Sequence, residues 1–281
     1  MLDGEKGLRM ADLKPGRRAF LGRGCACCLG ALTWPIAAES ASDRSADGQP
    51  QALELGAQPM TRIDKTVWVR RLAPGLWLHT TTGQIEPGFY YPANGLVLER
   101  PQGSLLIDTG YTPGQAETLL AWSGRVLKRP ITEAIATHLR NDRTGGIDGL
   151  RRHGVRTLAH PATCALAKAH GVLEPQPIAD FQGDAHRLDD DCELYFPGAG
   201  HTCDNIVAGL PQPRVLFGGC FLKSVTSSNL GNIADAVVDD WAGSLERART
   251  RYPDAILAVP GHGTISGDAF ARTHALLAAP A

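Results

Sequence analysis

The chain has 281 residues, 43% of them hydrophobic, and a formal net charge of -1. That length suits one large globular domain or two small ones, and composition does not choose between them. Acids and bases are spread along the sequence, with neither the basic stripe that holds nucleic acid nor a polyacidic tail, so nucleic acid and membrane surfaces are excluded as expected partners.

The first residues differ from the rest. Arg17 and Arg18 lie in Gly16-Arg-Arg-Ala-Phe-Leu21, followed by an apolar run from Cys25 to Ala38 and small residues from Ala37 to Ala41. The pattern resembles a twin-arginine export signal. Gly30 and Pro35 interrupt the run, which is too short for the ~20 residues that a bilayer-spanning helix needs. Residues 1–41 are therefore expected to be an export signal, leaving a periplasmic or secreted protein without a membrane anchor. The residues around Ala38-Glu-Ser-Ala41 give no clean cleavage site. Residues 42–60 are polar and small, a spacer with no periodic apolar face.

The folded part is expected from Thr61. Short apolar or alternating runs bounded by Gly, Pro and Asn predict strands at Val67–Leu72, Leu76–Thr80, Gly95–Leu98, Leu105–Asp108, Ile131–Thr137 and Val155–Ala159. The same pattern recurs at Glu193–Phe196, Ile206–Leu210, Val215–Phe217 and Ile256–Val259. Helical spacing marks Gly114–Lys128, Gly145–His153, Pro161–His170, Asp235–Arg251 and Gly267–Leu277. Strands that first form hairpins and later alternate with helices predict an α/β architecture with helices on the outer sheet faces. With no repeat and no second linker, one domain over residues 61–281 is the simplest parse.

Chemistry concentrates in four glycine-framed segments. In Ile135-Ala-Thr-His-Leu-Arg-Asn-Asp-Arg-Thr-Gly-Gly-Ile147 an apolar strand runs into a polar loop and then a helix, the place where open α/β sheets build their sites. Alone, His138 and Asp142 are weak evidence and read more readily as a loop histidine and a helix cap. Three further segments shift that balance: Gly198-Ala-Gly-His-Thr-Cys-Asp-Asn205, Leu216-Phe-Gly-Gly-Cys-Phe-Leu-Lys223 and Ala258-Val-Pro-Gly-His-Gly263. In each, a strand-like run ends in glycine beside His or Cys. Glycine lets backbone turn tightly next to a ligand, and His, Cys and Asp from separate loops are a zinc-binding set.

The ordered string His-x-x-x-Asp-Arg-x-Gly-Gly, Gly-His-Thr-x-Asp-Asn, Gly-Gly-Cys-x-x-Lys-Ser, Leu-Gly-Asn and Pro-Gly-His-Gly resembles class B metallo-β-lactamases of the first subclass, over residues 61–281. Asn94-Gly-Leu-Val-Leu98 and Leu106-Ile-Asp-Thr-Gly110 are similar to that family's core strands. The resemblance implies a four-layer αβ/βα sandwich with metal held at one edge. It assigns Asp142, Cys220 and His262 to one zinc position, and His138 and His201 to the other. It implies that Asp142 and His201 orient or deprotonate the attacking water. Lys223 would pair with the carboxylate of a β-lactam, and Asn232 would lie near its carbonyl.

One position departs from the family. The third histidine of the second site falls on Arg140. A guanidinium has no lone pair to donate and stays protonated, so it cannot ligate zinc. The expectation is one tightly bound zinc on Asp142, Cys220 and His262, with the second site weakened, in a monomeric enzyme that hydrolyses β-lactams. A hydrolase of another ester or amide, or a non-catalytic zinc-binding homologue, remains the alternative.

The segment from Thr82 to Tyr91 matches a mobile hairpin over the substrate, although Phe89, Tyr90 and Tyr91 could equally pack beneath the loop. Cys25, Cys27 and Cys28 belong to the leader. Cys164, Cys192 and Cys203 show no Cys-x-x-Cys spacing, and any bridge among the body cysteines stays open. The other histidines, among them His79, His153, His160 and His170, have no glycine-framed context and read as surface or satisfied core residues.

Overall fold

Alternation along the strands decides what lies between the layers. Leu96 and Leu98 face one side of their strand and Val97 the other; Leu105 and Ile107 oppose Leu106 in the same way. A strand with apolar side chains on both faces must be covered on both, which calls for a second sheet and a layer of helices. The computed structural model describes residues 59–279 apart from 87, 180, 182 and 183, so the predicted export signal and nearly all of the spacer lie outside the described residues.

The first sheet runs in sequence order: β1 (Thr61–Asp64), β2 (Val67–Ala73), β3 (Leu76–Glu86), β4 (Phe89–Leu98), β5 (Ser104–Ile107), β6 (Ile131–Ala136), β7 (Arg156–Ala159) and β8 (Gln176–Pro177). It is antiparallel from β1 to β5 and parallel from β5 to β8. The second sheet has the order β13 (Leu257–Pro260), β12 (Val215–Gly219), β11 (Val207–Leu210), β10 (Glu193–Tyr195) and β9 (Ala185–Arg187), with only β12 and β13 parallel.

Between the sheets lies a core that includes Leu76, Leu78, Leu96, Ile107, Ile135, Leu194, Leu210, Phe217 and Val259. Helix α1 (Pro113–Trp122) ends in a π turn over Ser123–Leu127. It packs beside α3 (Ile147–Arg152) on the outer face of the first sheet, where Ala116, Leu119, Trp122 and Leu150 meet Val67, Val69, Val97 and Leu106. Helices α5 (Val238–Arg251) and α6 (Ala269–Leu277) cover the second sheet, with Trp241, Leu245, Ala248 and Ala269 against Tyr195, Val207 and Leu216. The layers are thus helices, sheet, sheet, helices. Two short helices complete the set: α2 (Asn141–Thr144) and α4 (Pro161–Ala169).

The expected elements are all present with shifted ends. β3 and β4 extend into the hairpin beyond the apolar cores that mark them, because cross-strand pairing from Leu76↔Leu98 to Glu86↔Phe89 carries polar residues along. The helix expected from Asp235 begins at Val238. Among the described residues, Cys164, Cys192, Cys203 and Cys220 form no disulfide.

Candidate metal centre

Ordinary strand physics carries the four glycine-framed segments to one edge. Parallel neighbours end together, so the residues after β12 and β13 lie side by side, and β6 opens onto the same edge from the other sheet. At the end of β5, Asp108 adopts φ 62, a left-handed backbone that costs a non-glycine residue energy and that surrounding contacts must hold. Its carboxylate supplies those contacts. Oδ1 accepts from the Thr137 amide at 2.9 Å, and Oδ2 from Thr137 Oγ1 at 3.1 Å and Arg143 Nη1 at 2.9 Å.

Beyond Thr137 the loop is pinned again. The Leu139 amide donates to Asp204 Oδ2 at 2.8 Å, and that oxygen also accepts from Thr163 Oγ1 of α4 at 2.8 Å. His138 is fixed between these two clamps. α2 then starts at once, with the Arg140 carbonyl accepting from the Arg143 and Thr144 amides, and it projects Asp142 and Arg143 inward.

The loops of Cys220 and His262 touch through glycine. A Cβ on Gly261 would lie 2.6 Å from the Cys220 amide nitrogen and 2.5 Å from Arg143 Nη2, so no larger residue fits there. Asn94 of β4 fixes the same loop, donating to the carbonyls of Pro260 at 3.1 Å and Gly263 at 3.0 Å.

The expected ligands converge as two overlapping donor sets: Asp142, Cys220 and His262, and His138, His201 and Cys220. Within each set the ligand atoms lie within 4.8 Å of one another. Cys220 Sγ is 3.1 Å from His262 Nε2 and 3.6 Å from Asp142 Oδ2, and the last two are 3.3 Å apart. His262 Nδ1 donates to the Pro92 carbonyl at 2.8 Å, which directs Nε2 toward the donors. The rings of His138 and His201 stand nearly perpendicular, 5.1 Å apart.

This arrangement fits zinc. His138 Nε2 and His201 Nδ1 are buried without a hydrogen-bond partner, and a buried nitrogen without a partner is costly unless something accepts its lone pair. The remaining donors are a thiol, a carboxylate and an imidazole, the ligand types zinc prefers.

Arg143, fully buried, ties the centre together. Nη2 reaches Asp142 Oδ2 at 2.8 Å, Cys220 Sγ at 2.9 Å, the Gly261 carbonyl at 3.0 Å and His262 Nε2 at 3.2 Å; Nη1 reaches Asp108 and the Asn94 carbonyl. Burial opposes ionisation of Asp142 and Cys220. The guanidinium beside them reverses that effect, holding the Asp142 carboxyl below its ordinary value and the Cys220 thiol well below its own. Farther from the donors, burial dominates at Asp108 and pushes its carboxyl up to about 6. Burial, with Lys223 nearby, lowers His201 to about 3, so its imidazole is neutral.

The remaining expected site residues are placed less simply. Arg140 stands outside both donor sets, 8% exposed, with Nη2 2.7 Å from Asp235 Oδ2. Lys223 is only 4% exposed, its Nζ 5.5 Å above the Trp241 ring, and so is more sheltered than a loop lysine would suggest. Asn232 is half-buried, and its Oδ1 closes a local turn with the Ala234 amide at 3.0 Å. The loop carrying it is anchored to the centre through Asp235 and through the Val237 amide, which donates to the Gly200 carbonyl. In the hairpin, Phe89 and Tyr90 are exposed. Tyr91 is buried, with its ring 4.6 Å from that of His262.

Sequence reading left Arg143, Asp108, Asn94 and Asp204 without roles, although all four lie inside quoted motifs. The available signal was a charged or amide side chain at the end of an apolar strand, where burial demands a partner. His79 is a buried core residue, as expected, but only half satisfied: Nε2 lies against the carbonyls of Ile107 and Asp108, while Nδ1 has no hydrogen-bond partner.

Comparison with known proteins gives a consistent result. Residues 90–262 match the family model of the metallo-beta-lactamase superfamily. The metallo-beta-lactamase type 2 of Bacillus cereus is 37% identical over 215 residues, spanning 75% of this chain and 82% of the relative. The protein of that name from Bacteroides fragilis is 33% identical over 213 residues, 75% and 85% of the two chains. Among solved structures, the metallo-beta-lactamase FIM-1 from Pseudomonas aeruginosa in its mono-zinc form superposes with a TM-score of 0.73 at 32% identity, covering 77% of this chain and 96% of that one. A metallo beta lactamase from Hirschia baltica gives 0.72 at 31% identity, with 75% and 98% covered.

Proposed function

The chain belongs to the metallo-β-lactamase superfamily, and from that membership we propose that it is a zinc-dependent β-lactamase, opening the cyclic amide of β-lactams with water. The observation that carries this reading is the convergence of two zinc-competent donor sets on Cys220 at one sheet edge. Zinc bound there would supply a water acidic enough to attack at neutral pH, together with Lewis-acid polarisation of the carbonyl.

The roles of the chain's own residues follow from their surroundings. Asp142, Cys220 and His262 hold one zinc tightly, and Arg143 keeps Asp142 and Cys220 in the anionic forms that bind a cation. Asp142, ionised, and His201, neutral, are the groups able to accept a proton from the attacking water. Lys223 extends its flexible stem past Trp241 to pair with the substrate carboxylate, and Asn232 donates to the carbonyl. Arg140 fills the position of a third histidine with a cation that cannot ligate, so one zinc per chain is the working form.

We also propose that the protein acts as an exported monomer. Among the described residues no helix is long and apolar enough to cross a membrane, and Arg17 and Arg18 supply the export motif. An Arg17→Lys, Arg18→Lys form should stay inside the cell; unchanged export would remove the twin-arginine route. The functional test is hydrolysis of a penicillin, a cephalosporin and a carbapenem by zinc-loaded protein, with and without a chelator.

A further inference from the structure

Resting on that reading, we propose that His138, His201 and Cys220 form a zinc position in their own right, one that shares Cys220 with the Asp142 and His262 position and is filled as an alternative to it. Loss of a third histidine at position 140 would ordinarily leave a two-ligand remnant. Here the Cys220 thiol joins the two histidines, the ligand atoms of the three all falling within 4.8 Å of one another. All three residues are more than nine-tenths buried, and His138 Nε2 and His201 Nδ1 have no hydrogen-bond partner. Two imidazoles and a thiolate are three ordinary zinc ligands, with the fourth position left open.

Hydrogen bonds within the protein hold His138 from both sides. Asp108 holds Thr137 on one side of His138, and Asp204 holds Leu139 on the other. The charge at position 140 is paired with Asp235, 2.7 Å from its guanidinium. Only one Sγ serves both sets. A second dication would have to share that thiolate, with the Lys223 cation close to His201. Occupancy of one position therefore lowers the affinity of the other.

Cobalt(II) titration of the dialysed protein tests this, because thiolate-bound cobalt has a near-ultraviolet charge-transfer band whether or not the protein turns over a substrate. The natural chain is expected to take one cobalt with that band. Folded His262→Ala should keep one thiolate-bound cobalt at reduced affinity, and adding His138→Ala should abolish it. Where the alanine form does not fold, His262→Gln retains a donor toward the Pro92 carbonyl and serves in its place. Asp235→Asn in the His262→Ala background should weaken cobalt binding roughly tenfold, as losses of outer partners do. The proposal is overturned if folded His262→Ala loses the band, if the band survives addition of His138→Ala, or if the natural chain takes two cobalts with equal tightness. Retention of thiolate-bound cobalt by His262→Ala in a protein that hydrolyses no β-lactam supports the donor set and removes only the substrate reading.

Discussion

Two arginines, three residues apart, set the character of the centre, and the sequence exposes only one of them. Arg140 is conspicuous because it interrupts a histidine motif. Arg143 follows the motif's aspartate, and nothing in the local pattern announces that its guanidinium is buried among Asp108, Asp142, Cys220 and His262. Side chains converging from separate loops are a property of the fold, so the five donors were legible one at a time while the cation binding them together was not. Removing one partner of a buried charge network leaves the others uncompensated. Arg143→Met should therefore lower unfolding free energy by about 3–5 kcal/mol, read from urea denaturation; a loss under about 1 kcal/mol would mean that the network is dispensable. At the other arginine, Arg140→His restores an imidazole beside His138 and His201. Metal analysis after dialysis should then find a second tightly held zinc, and an unchanged content would show that position 140 does not control stoichiometry.

Among the elements, the β3–β4 hairpin is the clearest case of a structure that outruns its sequence signal. Apolar alternation marks only the inner halves of the two strands, and the outer halves pair because the ladder continues. At the tip Phe89 and Tyr90 are exposed while Tyr91 turns in against His262. An exposed aromatic pair at the end of a hairpin suits transient cover of an apolar substrate face. Deleting residues 86–90 should raise KM several-fold with little change in zinc content, whereas an unchanged KM would take the hairpin out of substrate binding.

On the opposite layer α5 is fastened to β10 through Arg251, which makes a two-pronged pair with Glu193, joined by the Tyr252 hydroxyl. The Arg251 hydrogen bonds hold the Glu193 carboxyl below its ordinary value. A depressed carboxylate contributes stability above its unfolded pKa and loses it as pH falls through the folded value. Arg251 is partly solvent-exposed, so screening limits the effect. Arg251→Gln should cost about 0.5–1 kcal/mol at pH 7, and the difference from the natural protein should shrink as pH falls below the ordinary carboxylate range. A penalty independent of pH would point to packing instead.

For the molecule as a whole, hairpins followed by strands alternating with helices made an α/β architecture readable, while the four-layer order came from the family resemblance; strands with two apolar faces, such as those holding Leu96, Val97 and Leu98, are its physical reason. β1, β8 and β9 were not readable, being short edge strands of polar or mixed composition that carry little apolar signal of their own. The layers bring the ends of β6, β12 and β13 to one edge, and that edge gathers candidate metal ligands from separate loops. The claim that most needs testing is that a metal held there makes the protein a β-lactamase. Hydrolysis of a penicillin, a cephalosporin and a carbapenem should be followed with zinc-loaded protein, with chelator, and with zinc restored. The account predicts turnover that chelator abolishes and zinc returns; zinc-loaded, folded protein that leaves all three substrates intact, or turnover indifferent to chelator, would contradict it.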